Sequence, residues 1–343
     1  MTDWSKAPWV DPALDWTPMP VPDLPPRVLI DFATRCNLRC PMCTVWGSGD
    51  QEAIDDVKGV MPPDAAERLL DELAPARPLV QPNMYGEPLL IPDLAGTIRA
   101  MKCRGMEVAL NTNGLALSQA VSDMLVAEGV DSVSVSIDAV TPGTLALVRG
   151  LDRLEAIEAG VFRLLAARGR ALTPRISVSF TVQDTNRHEA DAFVERWISR
   201  VDCVRVGLLF ENGTFPEMET PAERRPCPTL YNTLPVFNDG TATICCLDGF
   251  KVTDVGNVFE QGAQAVWTGE AFAKVRYFHE TGQWDKVPFC TNCNGWAQLS
   301  FEETEADGIL VRRSPQIVYY NRVDRLENWR NKLRSAHEGT NAE

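Results

Sequence analysis

Between residues 27 and 210, short apolar runs rich in β-branched residues alternate with amphipathic stretches, and few folds accept that pattern. "RVLIDFA" (27–33), "PLVQPNM" (78–84), "MEVALNT" (106–112), "DSVSVSID" (131–138), "RISVSFTVQ" (175–183) and "DCVRVGLLF" (202–210) read as strands. "PDAAERLLDELA" (63–74), "LAGTIRAMKCRG", "SQAVSDMLVAEG", "LEAIEAGVFRLLAARG" (154–169) and "EADAFVERWIS" (189–199) read as helices, the fourth with Ile157, Val161, Leu164 and Leu165 on one face. Strands and helices in alternation predict a parallel sheet with crossover helices. Six such strands make an α/β fold, a partial (β/α)6 barrel, whose chemistry belongs at the carboxyl ends of the strands.

The alternation stops near residue 215. "TLPVFNDGTATICCLDG" (233–249) reads as a hairpin turning at "NDG", residues 263–282 as a helix broken at "TG", and "FCTNC" (289–293) as a CxxC pair. A small α+β domain over 215–303 follows from this, after the barrel at 27–214. Residues 1–26, with seven prolines and three tryptophans, suit an extended strap. The polar tail, 304–343, predicts one helix near 321–336. No basic, apolar leader opens the chain and no apolar run is long enough to span a bilayer, so the expected compartment is the cytoplasm, with no membrane partner. There, ten cysteines point to metal ligands or reactive thiols rather than disulfides. A formal net charge of −14 speaks against a nucleic-acid partner.

"CNLRCPMC" (36–43) places Cys36, Cys40 and Cys43 in a CxxxCxxC spacing directly after the first strand. Structural zinc takes four protein ligands, usually as two paired sets, and the three histidines, His188, His279 and His337, lie far along the chain. Zinc with a distant fourth ligand remains a competing reading. Three thiolates on a cubane leave one iron open, which suits this spacing on a loop after a strand.

With that context, CxxxCxxC after the first strand of a β/α barrel resembles the radical S-adenosylmethionine (radical SAM) superfamily. The resemblance implies a 4Fe–4S cluster held by Cys36, Cys40 and Cys43, with SAM chelating the open iron. One electron then cleaves SAM to a 5′-deoxyadenosyl radical, which takes a hydrogen atom from substrate. An external donor such as flavodoxin or ferredoxin would supply the electron. "YGEPLL" (85–90) resembles the family's GGEP motif with Tyr85 in place of the first glycine, and nominates Gly86, Glu87 and Pro88 for the SAM amino group. "NTNG" (111–114) and "SVSID" (134–138) nominate Asn113 and Ser136 for the ribose and carboxylate. "LVRG" (147–150) nominates Arg149, whose guanidinium suits a carboxylate, and Met42 falls near the adenine.

Cys227, Cys245, Cys290 and Cys293, with Gly240 five positions before Cys245, resemble the twitch domain, a shortened SPASM domain with a second 4Fe–4S cluster on four thiolates. Alternation along a strand points Cys245 and Cys246 to opposite faces, which leaves Cys246 as a buried small side chain or a hydrogen-atom donor. Cys103 and Cys203 carry the same two readings. A fully ligated cluster has no open position for substrate and serves electron transfer, as oxidation of a secondary alcohol requires. The spacing of the four thiols is similar to that of the twitch-bearing dehydrogenase type of aminocyclitol antibiotic biosynthesis. Asp184, His188, Arg205 and Glu211, at strand ends, are candidates for the base. The expected activity is dehydrogenation, epimerisation or decarboxylation of a small polar, sugar- or aminocyclitol-like metabolite. A peptide-maturing enzyme is the alternative, with the short N-terminal segment against it. A non-catalytic iron–sulfur or zinc protein is the third reading.

Overall fold

The computed structural model describes residues 20–297 and 301–326. Its strands are β1 (Arg27–Ile30), β2 (Ala33–Thr34), β3 (Gly59–Val60), β4 (Leu79–Gln81), β5 (Glu107–Thr112), β6 (Ser132–Ser136), β7 (Arg175–Val182), β8 (Cys203–Leu208), β9 (Thr233–Val236), β10 (Thr241–Thr243), β11 (Asp254–Asn257), β12 (Glu302–Ala306), β13 (Ile309–Arg313) and β14 (Ile317–Arg322). The fold is mixed α/β, and the six predicted strands are present as β1 and β4–β8 with helices between them. No helix among the described residues is long and apolar enough to cross a membrane.

The chain divides into two compact units. The first comprises residues up to Thr112 together with Leu209–Leu299. Its strands run in the order β11-β10-β9-β1-β4-β5. β4 is parallel to both β1 and β5, and β9 returns from the far end of the sequence to pair parallel with β1, Val28 opposite Leu234. β10 and β11 continue antiparallel. Three of the four β1 residues are buried, as a strand covered on both faces requires. The helix Pro63–Leu73 opens on a proline at its first turn and buries Ala65, Leu69, Leu70 and Leu73. The predicted 263–282 helix is two helices, Ala263–Trp267 and Glu270–Glu280, parted at Thr268 and Gly269 where the "TG" break was expected.

The second unit comprises Asn113–Leu208 and the residues from Ser300 on. Its order is β6-β7-β8-β14-β13-β12, parallel through β8 and antiparallel beyond it. Here the expectation for the tail is corrected: 302–322 is a three-stranded meander, and in place of the helical start predicted from 321 the strand β14 runs to Arg322, followed by a single 3-10 turn, Val323–Arg325. All five residues of β12, "EETEA", are exposed. A strand at the edge of a sheet tolerates that polarity, so charge there is no argument against a strand. Residues 327–336 of the predicted helix, and 1–19 of the predicted strap, lie outside the described residues. The helix Pro142–Arg149 was not predicted, although Thr141 before its proline and Gly150 after it are ordinary start and stop signals.

Candidate iron–sulfur and SAM site

The cysteine loop begins where β1 and the two-residue β2 end. Cys43 donates its N–H to the Cys40 carbonyl (2.9 Å), and Gly47 donates to the Cys43 carbonyl (2.9 Å). Gly47 is required by space: a Cβ there would stand 2.3 Å from the Cys40 oxygen and 2.8 Å from that of Cys43. The Cys36 sulfur accepts a backbone N–H bond from Leu38 (3.4 Å) and the Cys43 sulfur one from Trp46 (3.3 Å). Met42, between the last two cysteines, is half-buried.

The Tyr85–Pro88 turn is stitched to this loop from two sides. Glu87 donates its N–H to the Arg35 carbonyl (2.6 Å), and Trp46 donates its indole N–H to the Tyr85 carbonyl (2.6 Å). Gly86 packs so closely on β2 that a Cβ would meet the Ala33 oxygen at 2.0 Å. Glu87 is buried, and its Oε1 accepts from the Thr112 hydroxyl (2.6 Å) at the end of β5 and from Leu89 N–H (3.1 Å). Pro88 starts the 3-10 turn Pro88–Leu90.

The other thiols occupy the same unit. Cys245 accepts from Leu247 N–H (3.4 Å) and Cys293 from Gly295 N–H (3.3 Å), while Cys227 donates its N–H to Nδ1 of buried His279 (3.4 Å). Burial pushes the Cys36 and Cys227 thiols up to about 11 and raises Cys290 as well, so these sulfurs become thiolates when metal replaces the proton. Burial, with the Arg224 charge, lowers His279 to about 4 and keeps it neutral. Arg224 donates to the carbonyls of Cys290 (2.7 Å) and Thr291 (3.3 Å) and lies 4.7 Å over the Trp284 ring. Its guanidinium interacts electrostatically with Cys290, Cys293 and Cys227. Sequence reasoning missed Arg224; its place three residues before Cys227 was the available signal.

The strand argument that set Cys246 apart does not hold, because β10 ends at Thr243 and both cysteines lie in the turn that follows. Their sulfurs share one hydrogen bond, so only one of the pair ionises readily. Tyr85 bridges the two sets. Its ring would lie 3.0 Å from a Cβ on Gly249, and its hydroxyl bonds the Thr44 side chain within electrostatic range of Cys43, Cys245 and Cys246.

Asn113, Ser136, Arg149 and Arg205 belong to the second unit. Asn113 is buried and accepts from Leu115 N–H (3.1 Å), and Ser136 accepts from the Ser179 hydroxyl (3.3 Å). Arg149, proposed for the SAM carboxylate, is buried and directs Nε (2.8 Å) and Nη2 at Asp138. Arg205 is half-buried on β8 opposite Tyr319. Cys203 is buried in β8, whereas Cys103 is exposed at the end of the helix Leu94–Cys103 and donates to the Ala100 carbonyl (3.2 Å). Glu211, in the first unit, is exposed and paired with Thr214, and Asp184 and His188 are exposed in the second.

The donor set fits clusters. The sulfurs of Cys36, Cys43, Cys245 and Cys293 accept backbone N–H bonds, and that of Cys227 accepts one from Thr229, bonds of the kind that tune an iron–sulfur centre. Among the described residues no three His, Cys, Asp or Glu side chains close on a single metal ion; the ligands of a cubane each take a separate iron. Arg224→Gln is expected to lower the midpoint potential of the auxiliary cluster by tens of millivolts. A unit charge acting across about 10 Å at an effective dielectric of about 20 is worth roughly 1.7 kcal/mol, and about 1.4 kcal/mol corresponds to about 59 mV for one electron. A redox titration followed by EPR reads the shift, and an unchanged potential at full iron content would remove Arg224 from that role.

Comparison with known proteins agrees with this geometry. Residues 30–194 match the radical SAM superfamily and 227–294 match an iron–sulfur cluster-binding domain of the SPASM type. The chain is a radical SAM superfamily enzyme with a SPASM/twitch iron–sulfur domain. Those domains imply a SAM-binding 4Fe–4S cluster, an auxiliary cluster and SAM. Over 315 residues the chain is 23% identical to the tungsten-containing aldehyde ferredoxin oxidoreductase cofactor-modifying protein of Pyrococcus furiosus, covering 77% of this chain and 86% of that one. It is 32% identical to GTP 3',8-cyclase 2 of Mycobacterium tuberculosis over 52% of its own length, and spans about half (49%) of that relative. The crystal structure of BtrN in complex with AdoMet and 2-DOIA shares the fold, with a TM-score of 0.55 at 19% identity over 79% of this chain and 93% of that one. Streptococcus suis SuiB bound to precursor peptide SuiA does so at 0.61 and 14%, over 75% and 68%.

Proposed function

We propose that the protein is a radical SAM oxidoreductase that dehydrogenates a secondary alcohol of a small polar, sugar- or aminocyclitol-like metabolite. The observation that carries this reading is that both thiol sets stand in one compact unit, on loops that meet at Tyr85. When bound, the SAM cluster supplies a 5′-deoxyadenosyl radical and the auxiliary cluster an acceptor for the electron left on the substrate. Cys36, Cys40 and Cys43 would hold the first, and Cys227, Cys245, Cys290 and Cys293 the second. Gly86, Glu87 and Pro88 would take the SAM amino group, with Met42, Asn113, Ser136 and Arg149 as further SAM contacts. Alcohol oxidation then balances: one hydrogen atom leaves the carbinol carbon, one proton leaves the hydroxyl, and one electron is withdrawn. Glu211 is the carboxylate nominated for the proton, and Arg205 the cation nominated beside it. Cys246 is the hydrogen-atom donor only if the outcome is epimerisation. A reductant such as flavodoxin or ferredoxin would start the cycle.

SuiB is a peptide-bound protein of the same fold, which keeps peptide maturation as the second reading. Anaerobic incubation with SAM, dithionite and alcohols deuterated at the carbinol carbon is expected to yield deuterated 5′-deoxyadenosine and a ketone. Solvent hydrogen replacing the deuterium in recovered alcohol would mean epimerisation instead, and label transfer only from peptides would overturn the small-metabolite reading.

A further inference from the structure

A buried polar chain runs from the iron–sulfur-binding segment to the Tyr85–Pro88 turn, and none of its members was singled out by motif. Asn238, at the tip of the β9–β10 hairpin, donates from Nδ2 to the Thr34 hydroxyl (2.7 Å) and to the Val57 carbonyl (2.8 Å). Thr34 donates to Asp31 Oδ2 (3.2 Å). Asp31, just beyond β1, accepts three consecutive backbone N–H groups: Met84 (2.7 Å), Tyr85 (3.2 Å) and Gly86 (3.2 Å). Asp31 and Thr34 are wholly buried and Asn238 is 7% exposed. Gly59 leaves the room: a Cβ there would stand 2.1 Å from the Asn238 side-chain oxygen.

Three amides converging on one carboxylate dictate where the turn's carbonyls point. In a trans peptide the C=O opposes the N–H, so the carbonyls of Asn83, Met84 and Tyr85 face away from Asp31. Asn83 O accepts from the Gln81 side chain (3.1 Å) and Tyr85 O from Trp46. The Met84 carbonyl is thereby turned away from Asp31 by the bond its own peptide's N–H makes there. Burial raises the Asp31 carboxyl, and the hydrogen bonds from Met84, Gly86, Tyr85 and Thr34 oppose that rise. The Thr34 hydroxyl is committed as a donor to Asp31 because Asn238 fills its acceptor side.

We propose that Asn238, Thr34 and Asp31 act as one positioning device for SAM binding, through which the iron–sulfur-binding segment orients the turn that receives the SAM amino group. This rests on reading the Tyr85–Pro88 turn as a SAM subsite. The device touches no reacting atom; it works by fixing peptide planes, and it makes SAM affinity depend on a hairpin in the other iron–sulfur segment.

The test is SAM binding to the anaerobically reconstituted full chain, by equilibrium dialysis and by the change in the EPR signal of the reduced first cluster on adding SAM. Thr34→Val removes the hydroxyl at constant shape, and Asn238→Asp removes the donor pair. Each is expected to weaken SAM binding about tenfold, the worth of one buried hydrogen bond, with iron content and auxiliary-cluster spectrum unchanged. Thr34→Ser, which restores the hydroxyl, is expected to bind within about twofold of the native chain. Equal loss in Thr34→Ser and Thr34→Val would reduce the effect to packing and overturn the proposal, as would native affinity in both isosteres at full iron content. Should Asn238→Asp take up no iron, the Val/Ser comparison at Thr34 decides alone. Gly86→Ala separates the two levels: native SAM affinity there would sink the reading of the turn itself, whereas its loss beside unaffected Thr34→Val would sink only the relay.

Discussion

Replacing Cys40 by alanine is expected to remove about half of the iron and all cleavage of SAM, leaving the auxiliary cluster in place. Two 4Fe–4S centres carry about eight irons per chain, and on the proposed assignment each set of thiols would hold about four. Cys40 is buried, its carbonyl takes the Cys43 N–H, and Gly47 closes the loop against it. A cubane tied by two thiolates rather than three loses its hold in a loop built this tightly. Cys293→Ala should give the mirror image, with about half of the iron lost and SAM still cleaved, but without ketone formation because the substrate electron has no acceptor. Iron and sulfide analysis with quantified 5′-deoxyadenosine separates the two. Cys245 and Cys246 belong in the same series, since both lie in one turn and share a hydrogen bond. Iron retained in Cys246→Ala and lost in Cys245→Ala confirms Cys245 as ligand, and the reverse reassigns it. SAM cleavage surviving in Cys40→Ala would end the radical account.

The second large effect belongs to Asp138→Asn. Asp138 is fully buried with φ +65°, a left-handed conformation that asparagine also tolerates, so the substitution changes charge without straining the backbone. Its Oδ2 faces the Arg149 fork and its Oδ1 accepts from Thr181 N–H (2.6 Å), while Asn186 bridges the Asp138 and Thr181 carbonyls (3.0 and 2.9 Å). Removing the carboxylate takes the Asp138 partner from a buried guanidinium, and breaking such a pair costs about 3–5 kcal/mol. Denaturant unfolding is expected to show that loss, and Asp138→Asn combined with Arg149→Gln should recover part of it because both charges of the buried pair are then gone. Unchanged stability in Asp138→Asn would mean the guanidinium has another anion to face. Arg149→Gln that binds SAM poorly while unfolding normally would assign Arg149 to the SAM carboxylate instead.

Much of this was legible in the linear chain. Strand and helix periods are local, and so are the spacings Cys36–Cys40–Cys43 and Cys290–Cys293; each needs only neighbouring residues. The polar tail misled, because "EETEA" and "IVYYNR" become strands only by pairing with one another's neighbours and with β8. The alternation argument for telling Cys245 from Cys246 failed for a related reason: it presumes a strand, and where β10 stops depends on its pairing with β9 and β11 rather than on its own residues.

The order of the elements, the two thiol sets and the family motifs were determined by the sequence alone, since they are written in spacings of a few residues. Tertiary structure decided the rest. It laid β9 against β1, put both thiol sets into one unit, and joined Asn238 to Thr34 across 204 positions. Such contacts carry no local signature, because the free energy that selects them comes from burying paired backbone and polar groups together, which exists only once the distant segments have met.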